Sequence, residues 1–250
     1  MQTLTHDGIF RGRITVFQPP RGEGYRFAVD SVLLGAFASA RRAATAVDLG
    51  AGSGIVGFIL LHAGAAGTVH FVERDELLAR ACRRGLKANG FESRGSVIRA
   101  DARSAGWVSR LRGVDLVVCN PPFRKKGSGW TSPKRGVASA RHEITMRMED
   151  VTARSAELLR GSGRLCLVMP PDRLDDVLRA ASASRLGPVR MRFIHAKPSR
   201  NACGVLIELK PSTGKSTAVT VLPPLVIHRE DGAYAPEVSD ILEGRLVANV

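Results

Sequence analysis

The sequence predicts an α/β fold whose mostly parallel sheet ends in an antiparallel pair of strands. Short apolar runs of strand type alternate with helical segments from about residue 43 onward, and such alternation favours parallel strands joined by crossover helices. The runs at residues 189–195 and 205–210 are separated by too few residues for a crossover helix, so they predict an antiparallel pair. A chain of 250 residues is long enough for one such domain with a large core.

The individual elements follow from hydrophobic periodicity and from helix stop signals. Strands are predicted at residues 46–49, 68–73, 96–100, 114–119 and 164–169. Helices are predicted within residues 26–34 and at 55–63, 75–89, 149–160 and 172–184. Gly90 and Gly161 each follow a predicted helix, where glycine is a common C-terminal stop. After a Pro/Ser/Gly linker at 211–215, apolar runs at 219–227 and a helical segment at 236–246 predict a tail that packs on the domain.

The composition is strongly basic, with 37 Lys and Arg residues against 23 Asp and Glu residues and a net charge of +14. This balance favours a polyanionic partner such as a nucleic acid, although a basic surface without such a partner is the alternative. None of the four cysteines belongs to a close Cys-x-x-Cys pair, which argues against a metal site or a disulfide framework. The chain shows no secretory signal, and its longest apolar stretch, residues 55–66, is too short to span a bilayer. We therefore expect a cytoplasmic protein without a metal, and the oligomeric state stays open.

The first motif is a glycine-rich turn at residues 47–54 between a predicted strand and a predicted helix, an arrangement that brings backbone close to a nucleotide-like cofactor. Together with Gly57, the turn matches the dinucleotide fingerprint, so an NAD-dependent enzyme is one candidate. Glu73 ends the next strand and suits the ribose hydroxyls of either NAD or S-adenosylmethionine. Asp48 favours S-adenosylmethionine, because a carboxylate before the turn suits its cationic amino acid portion and would repel a pyrophosphate.

The second motif is Asn120-Pro121-Pro122-Phe123, directly after the predicted strand at 114–119. The two prolines lack backbone donors, which leaves nearby carbonyls free to accept hydrogen bonds. Asn120 and the Pro121 carbonyl could accept both protons of a planar NH2 group, draw its lone pair out of conjugation and aim it at a methyl donor. Phe123 could stack on the base that carries this group. Such a site requires no strong general base, because alignment supplies much of the rate.

With these two motifs the chain resembles the S-adenosylmethionine-dependent amino-methyltransferases over residues 27–210. The resemblance implies a Rossmann-like class I methyltransferase fold with a seven-stranded sheet. A narrower likeness, to the bacterial tRNA adenine-N6 methyltransferases that act on a valine tRNA, includes residues 18–20, 25–34, 140–143 and 225–228 with Tyr234. It implies three regions: an N-terminal extension with a cofactor-covering helix at 1–42, a catalytic domain at 43–210 and a C-terminal extension at 211–250.

The resemblance also implies the cofactor and its contacts. The cofactor is S-adenosyl-L-methionine, Asp101 accepts from its adenine amino group, and Ala102 offers a backbone donor. Asp101 could instead only cap the following turn. The full set of implied cofactor contacts is Asp48, Gly50, Gly52, Gly54, Glu73, Asp101, Ala102 and Asn120.

A long irregular segment at residues 124–141 follows the second motif and is rich in cations and glycine. Segments of this length inside a domain are usually functional or disordered, and we expect a basic flap over the target site. Trp130 could stack on a nucleotide, and His142 could be a structural partner of Glu143. The predicted substrate contacts are Arg124, Lys125, Lys126, Lys134, Arg135, Arg141 and His142.

The predicted reaction is methylation of the N6 amine of an adenine in RNA, with tRNA as the expected substrate. Release-factor methyltransferases, which modify a protein glutamine, use a very similar Asn-Pro-Pro-aromatic tetrapeptide. Those enzymes usually carry a helical domain ahead of the catalytic one, and fewer than 30 residues precede residue 27 here. A nucleic-acid-binding protein with this fold but without catalysis is a third candidate, against which Asn120 and Glu73 argue.

Overall fold

The computed structural model describes residues 3–24, 26–121, 146–212 and 218–246. The strands are β1 (Thr5–Ile9), β2 (Ile14–Gln18), β3 (Ala43–Leu49), β4 (Ala66–Glu73), β5 (Gly95–Arg99), β6 (Val114–Cys119), β7 (Leu159–Met169), β8 (Leu186–His195), β9 (Ala202–Pro211), β10 (Thr220–Val221) and β11 (Leu225–Val226). The helices are α1 (Val29–Ala38), α2 (Ile55–His62), α3 (Glu76–Ala88), α4 (Met148–Leu158), α5 (Leu174–Ala183) and α6 (Pro236–Leu242).

The main sheet has the order β10-β8-β9-β7-β6-β3-β4-β5, and β11 also pairs with β8. Strands β3 to β7 are parallel to one another, whereas β9 is antiparallel to both β7 and β8. Strand β8 therefore runs in the same direction as β7, and its C-terminal end lies at the same edge of the sheet. The predicted α/β fold and its antiparallel strand pair are confirmed.

Within the described residues the main sheet has nine strands, two more than the seven that the resemblance implied. The additional strands, β10 and β11, are two residues each and pair in parallel with β8. They come from the tail, which was expected to pack on the domain. Without them, β8 would be an open edge with unpaired backbone groups. The tail therefore covers part of that edge.

The core lies on both faces of this sheet because its central strands are apolar on both sides. Alternate residues of a strand point to opposite faces: Val118 belongs to a cluster with α1, α2 and α3, whereas Val117 belongs to a cluster with α4 and α5. Helix α6 packs in the first cluster, beside α1. The helices on the two faces of the sheet thus pack into two separate hydrophobic cores.

Three details differ from the sequence expectations or refine them. The N-terminal hairpin of β1 and β2 was not predicted, because its turn places Phe10 and Arg11 at φ of 54° and 57° without the usual Asn-Gly signal. Helix α4 ends at Leu158, and Gly161 lies inside β7 instead of stopping the helix. Gly90 does follow α3 with φ of 67°, as a helix stop requires.

Among the residues that the structure describes, no helix has the length and apolarity of a membrane span. The same residues contain no group of His, Cys, Asp and Glu side chains arranged to hold a metal ion. The four cysteines are free thiols, and three of them are buried: Cys82, Cys119 and Cys166.

Candidate active site

The predicted site residues that the structure describes lie at the carboxyl edge of the parallel strands. Asp48 of β3 pairs with Val118 of β6, and Leu49 pairs with Val72 of β4. This register places Asn120, Gly50 and Glu73 at one level, just beyond three adjacent strands. Since neighbouring strands are about 4.8 Å apart, Asn120 and Glu73 lie about 10 Å from each other. Such an edge is where α/β sheets commonly bind ligands.

The glycine-rich turn after β3 requires glycine for its conformation. Gly50, Gly52 and Gly54 have φ of 73°, 57° and 89°, a region that side chains disfavour. A Cβ at Gly54 would lie 2.7 Å from the Cys82 Sγ atom, so space as well as φ excludes a side chain there. The Gly50 amide donates to the Val72 carbonyl at 2.9 Å, which fixes the turn against β4. The turn therefore presents its backbone in one defined conformation.

Glu73 is a buried acid whose described partners are backbone amides. Its Oε2 atom accepts from the Gly52 amide at 2.8 Å, and its Oε1 atom accepts from the Asp75 amide at 2.8 Å. Burial raises the pKa of Glu73, whereas these amides oppose the increase. The Arg74 amide is a third backbone donor to this carboxylate. Since a carboxylate has about four acceptor positions, Glu73 keeps acceptor capacity for a ribose hydroxyl.

Asp48 lies at the start of the same turn and is 2% exposed. Its Oδ2 atom accepts from the Gly57 amide at 2.9 Å, in the first turn of α2. Helix α2 has Gly54 at its N-cap and therefore lacks a side-chain cap there, so Asp48 supplies an acceptor that the N-cap residue cannot. Burial raises the pKa of Asp48 to about 7, and the neighbouring charge of Glu73 contributes to this increase.

These residues fit S-adenosylmethionine in three respects. Two buried carboxyl groups, Asp48 in the turn and Glu73 bonded to it, lie side by side, and a cationic ligand would stabilise their charged forms. Glu73 has acceptor capacity for a ribose, as described above. The Ser53 hydroxyl is buried in the turn without a hydrogen-bond partner among the described residues, which is unusual for a buried polar group and suits a polar ligand.

Asp101, the predicted adenine contact, is held by Arg103. The Arg103 Nη2 atom donates to Asp101 Oδ2 at 2.6 Å, and the Arg103 amide donates to Asp101 Oδ1 at 3.0 Å. These contacts lower the pKa of Asp101 to about 2. The turn-capping role considered above is thus present, and the adenine role stays a prediction. Ala102 is buried beside it, and Trp107 donates to the Asp101 carbonyl at 3.0 Å, as expected of a structural tryptophan.

Asn120 is oriented by a residue that the sequence did not single out. Its Nδ2 atom donates to the hydroxyl of Ser31 at 2.9 Å, and Ser31 lies in α1 with 1% exposure. Because the amide nitrogen is held on this side, the Oδ1 atom is fixed in orientation, and it accepts no hydrogen bond from the described residues. The segment at 26–34 was expected to form a helix over the site, but no sequence pattern marks one hydroxyl within it. Pro121 follows and is buried.

The remaining predicted site residues lie outside the described residues, and their roles stay predictions. They are Pro122, Phe123, Arg124, Lys125, Lys126, Lys134, Arg135, Arg141 and His142. The described part of the site therefore comprises the cofactor turn, Glu73, Asp101 and the beginning of the second motif.

Comparisons with known proteins agree with this geometry. A family model described as Methyltransferase small domain matches residues 29–173. The tRNA1(Val) (adenine(37)-N6)-methyltransferase of Porphyromonas gingivalis is 31% identical over 228 residues, covering 89% of this chain and 89% of that protein. Among solved structures, a predicted O-methyltransferase from Agrobacterium tumefaciens is 26% identical with a TM-score of 0.68, covering 86% of this chain and 96% of that one.

A more distant structure shares the fold alone. The 16S rRNA N2 G1207 methyltransferase of T. thermophilus, solved in complex with AdoMet and guanosine, is 18% identical with a TM-score of 0.56. The match covers 83% of this chain and 50% of that chain.

Proposed function

Because the chain belongs to the methyltransferase small domain family, we propose that it methylates the exocyclic N6 amine of an adenine in tRNA. The enzyme is an S-adenosylmethionine-dependent methyltransferase. The relative from Porphyromonas gingivalis, which is similar over nearly the whole chain, carries the name of a tRNA adenine-N6 methyltransferase. The name of this relative supports adenine N6 as the methyl acceptor. The basic composition of the chain supports RNA as the molecule that contains this adenine.

The observation that carries the proposal is the hydrogen bond between Asn120 and Ser31. With Nδ2 donating to Ser31 at 2.9 Å, the side of the Asn120 amide that has no partner among the described residues is its oxygen. An exocyclic amine has two N–H donors and a lone pair that is delocalised into the ring. An oriented acceptor at Asn120, with the Pro121 carbonyl as a second one, therefore matches the amine and leaves its lone pair for the methyl group.

In the proposed reaction the chain binds and orients the reactants. Bound S-adenosylmethionine supplies an electrophilic methyl group. The acceptor nitrogen would take this methyl group, the electron pair of the broken bond would stay with the departing cofactor, and the nitrogen would then release one proton to solvent. The acceptor oxygens at Asn120 and Pro121 hold the N–H groups during this step, and alignment contributes much of the rate.

We propose the remaining site roles on the same basis. Glu73 would bind the ribose hydroxyls, Asp101 and Ala102 the adenine of the cofactor, and Phe123 the target base. The cations between Arg124 and Arg141 would contact RNA phosphates. The division into an N-terminal extension, a catalytic domain at 43–210 and a C-terminal extension is part of the same proposal.

The second candidate acceptor is the side-chain amide of a protein glutamine. It presents the same planar NH2 group to Asn120, so the described geometry accepts both substrates. The net charge of +14 favours the polyanion. An experiment must therefore offer both substrates to the same enzyme.

The test is transfer of labelled methyl groups to total tRNA, rRNA and a purified release factor, followed by nucleoside and peptide mass spectrometry. We expect N6-methyladenosine in tRNA. Asn120→Ala should abolish transfer and leave cofactor affinity unchanged in calorimetry, whereas Glu73→Gln should weaken cofactor binding because it replaces a charged acceptor. N5-methylglutamine in the protein, without N6-methyladenosine in any RNA, would refute the proposal.

A further inference from the structure

The C-terminal tail presents an aromatic ring at the same edge of the sheet as Asn120. Among the described residues, the exposed large apolar side chains are Val219, Val221 and Tyr234. Tyr234 is the aromatic member and is 50% exposed. Its ring stacks on His228 with centroids 4.7 Å apart and an interplanar angle of 23°. One face of the ring is thus covered by His228, while half of the residue remains accessible to a ligand.

The position of this ring follows from the topology. Strand β11 pairs in parallel with the end of β8, Val226 opposite His195. The chain therefore leaves the sheet at its carboxyl edge before it reaches His228. From β6 to β11 there are four strand spacings, in the order β6, β7, β9, β8, β11, or about 19 Å. RNA-recognition modules contact several successive nucleotides, so one RNA loop can reach both places.

The ring is also held in a defined place. His228 and Tyr234 form a backbone bridge, and the Arg229 amide donates to the Ala233 carbonyl at 2.8 Å. The His228 amide donates to the Ala196 carbonyl at 3.0 Å, which ties this turn to the loop after β8. Lys197 adds a second tie, since its Nζ atom donates to the Glu230 carbonyl at 3.0 Å. A ligand that stacks on Tyr234 would therefore cost the protein little conformational freedom.

We propose that Tyr234, supported by His228, is a stacking platform for an unpaired base in the same RNA loop as the target adenine. The inference rests on the proposed function and names a second contact of the same substrate. A flat ring face suits any nucleobase. Arg200 is an exposed cation on one of the two connected loops, whereas Arg229 on the other loop pairs with Asp231. The other exposed large apolar side chains among the described residues are Val219 and Val221. Val221 pairs with Met191 in the middle of β8, so these two do not extend the ring into an apolar patch at the carboxyl edge.

The test uses the full-length enzyme, tRNA and the variant Tyr234→Ala. We expect tRNA affinity to fall about tenfold, the size of one lost base stack, with an unchanged maximal rate at saturating tRNA and unchanged S-adenosylmethionine affinity. Tyr234→Phe keeps the ring and should behave as wild type. Val221→Ala removes an exposed apolar side chain of the same tail away from this edge and serves as the matched control. The slope of log K against log salt should not change, because no phosphate contact is removed.

A second variant reports contact directly. Tyr234→Trp keeps a stacking surface and should bind tRNA at least as tightly as wild type, with its added fluorescence quenched by tRNA. The inference would be overturned if Tyr234→Ala bound tRNA with wild-type affinity, or if tRNA did not change the fluorescence of Tyr234→Trp. A loss of affinity for a protein substrate alone would also overturn it. Wild-type enzyme that methylates no RNA would instead refute the proposed function, so the two failures are distinguishable.

Discussion

At the scale of single residues, the proposed chemistry depends on the contact between Ser31 and Asn120. The two residues are 89 positions apart in the chain, and their hydrogen bond joins α1 to the end of β6. A side-chain amide can rotate by 180°, which exchanges the positions of its oxygen and its nitrogen. Its oxygen is therefore a defined acceptor only if the nitrogen is held by a partner. The buried hydroxyl of Ser31 provides this hold, which makes Ser31 a positioning residue.

Replacing Ser31 by Ala should lower the turnover number about 10- to 100-fold, because a small misplacement of a catalytic group is costly. Cofactor affinity, measured by calorimetry, should not change, since Ser31 contacts Asn120 and not the glycine turn. Ser39→Ala is the matched control: its hydroxyl bonds to the Gly35 carbonyl, at the other end of the same helix. Equal turnover in wild type and Ser31→Ala would show that Asn120 needs no support.

Asp48 gives the ligand-free protein a pH-dependent stability. Burial raises its pKa from 3.8 to about 7, so the folded state binds this proton more tightly than the unfolded chain does. As pH rises from about 4 to about 7, the free energy of unfolding should therefore fall, and above about 7 this contribution is constant. A pKa difference of one between the folded and unfolded states corresponds to about 1.4 kcal/mol, so the total fall is at most about 4 kcal/mol.

Asp48→Asn keeps an acceptor for the Gly57 amide but removes the titration. Relative to wild type, we expect this variant to gain stability as pH rises through that window. Urea unfolding at pH 5 and pH 8 measures the difference. Parallel behaviour of the two proteins would mean that Asp48 ionises normally in the fold.

At the scale of elements, the turn from β3 into α2 combines a special backbone conformation with close packing. Gly54 begins α2 at φ of 89°, and a Cβ there would meet Cys82 of α3 and Phe58 of α2 itself. A Cβ at Gly57 would lie 2.2 Å from the Phe71 ring of β4. The helix therefore sits close to both the sheet and α3, which sets the position of the turn.

Gly54→Ala should lower the free energy of unfolding by about 2 to 4 kcal/mol, from left-handed strain and overpacking together. Two controls separate these causes. Gly90 has φ of 67° with nothing within 4 Å of an added Cβ, so Gly90→Ala reports strain alone. Gly106 is open and lies outside the left-handed region, so Gly106→Ala should be nearly neutral. Chemical denaturation of all three variants is the measurement, and equal losses for Gly54→Ala and Gly90→Ala would exclude a packing contribution.

At the scale of the whole molecule, charge and sheet polarity together predict where RNA binds. The net charge is +14, and the candidate site lies at the carboxyl edge of the sheet. Cations also occur at the opposite edge: Arg42, Arg112 and Arg185 are exposed just before β3, β6 and β8. Two variants that lose the same charge, one at each edge of the sheet, can therefore test which edge binds RNA.

Replacing Arg124, Lys125 and Lys126 by Gln should weaken tRNA binding and flatten the slope of log K against log salt, because fewer phosphate contacts release fewer counterions. The choice of adenine should not change. The matched control replaces Arg42, Arg112 and Arg185 by Gln, which removes the same charge from the opposite edge. Binding titrations over a range of salt concentrations measure both slopes, and equal slopes would assign the effect to net charge alone.

The sequence by itself determined the order of strands and helices between residues 43 and 210, the antiparallel pair and the family. These features are encoded in periodicities and motifs that span a few residues, such as the alternating glycines of the turn. Element ends were less accurate, as Gly161 shows, because a glycine can serve inside a strand as well as after a helix.

Only the tertiary structure decided which side chains support the site. Three features follow from how elements pack. They are the bond between the Asn120 amide and Ser31, the bond between Asp48 and α2, and the placement of Tyr234 at the carboxyl edge. Ser31 is the clearest case, since one buried hydroxyl in an apolar helix carries no local signal. The physical reason is that hydrogen bonds and burial between distant segments depend on the relative position of whole elements, which no local pattern specifies.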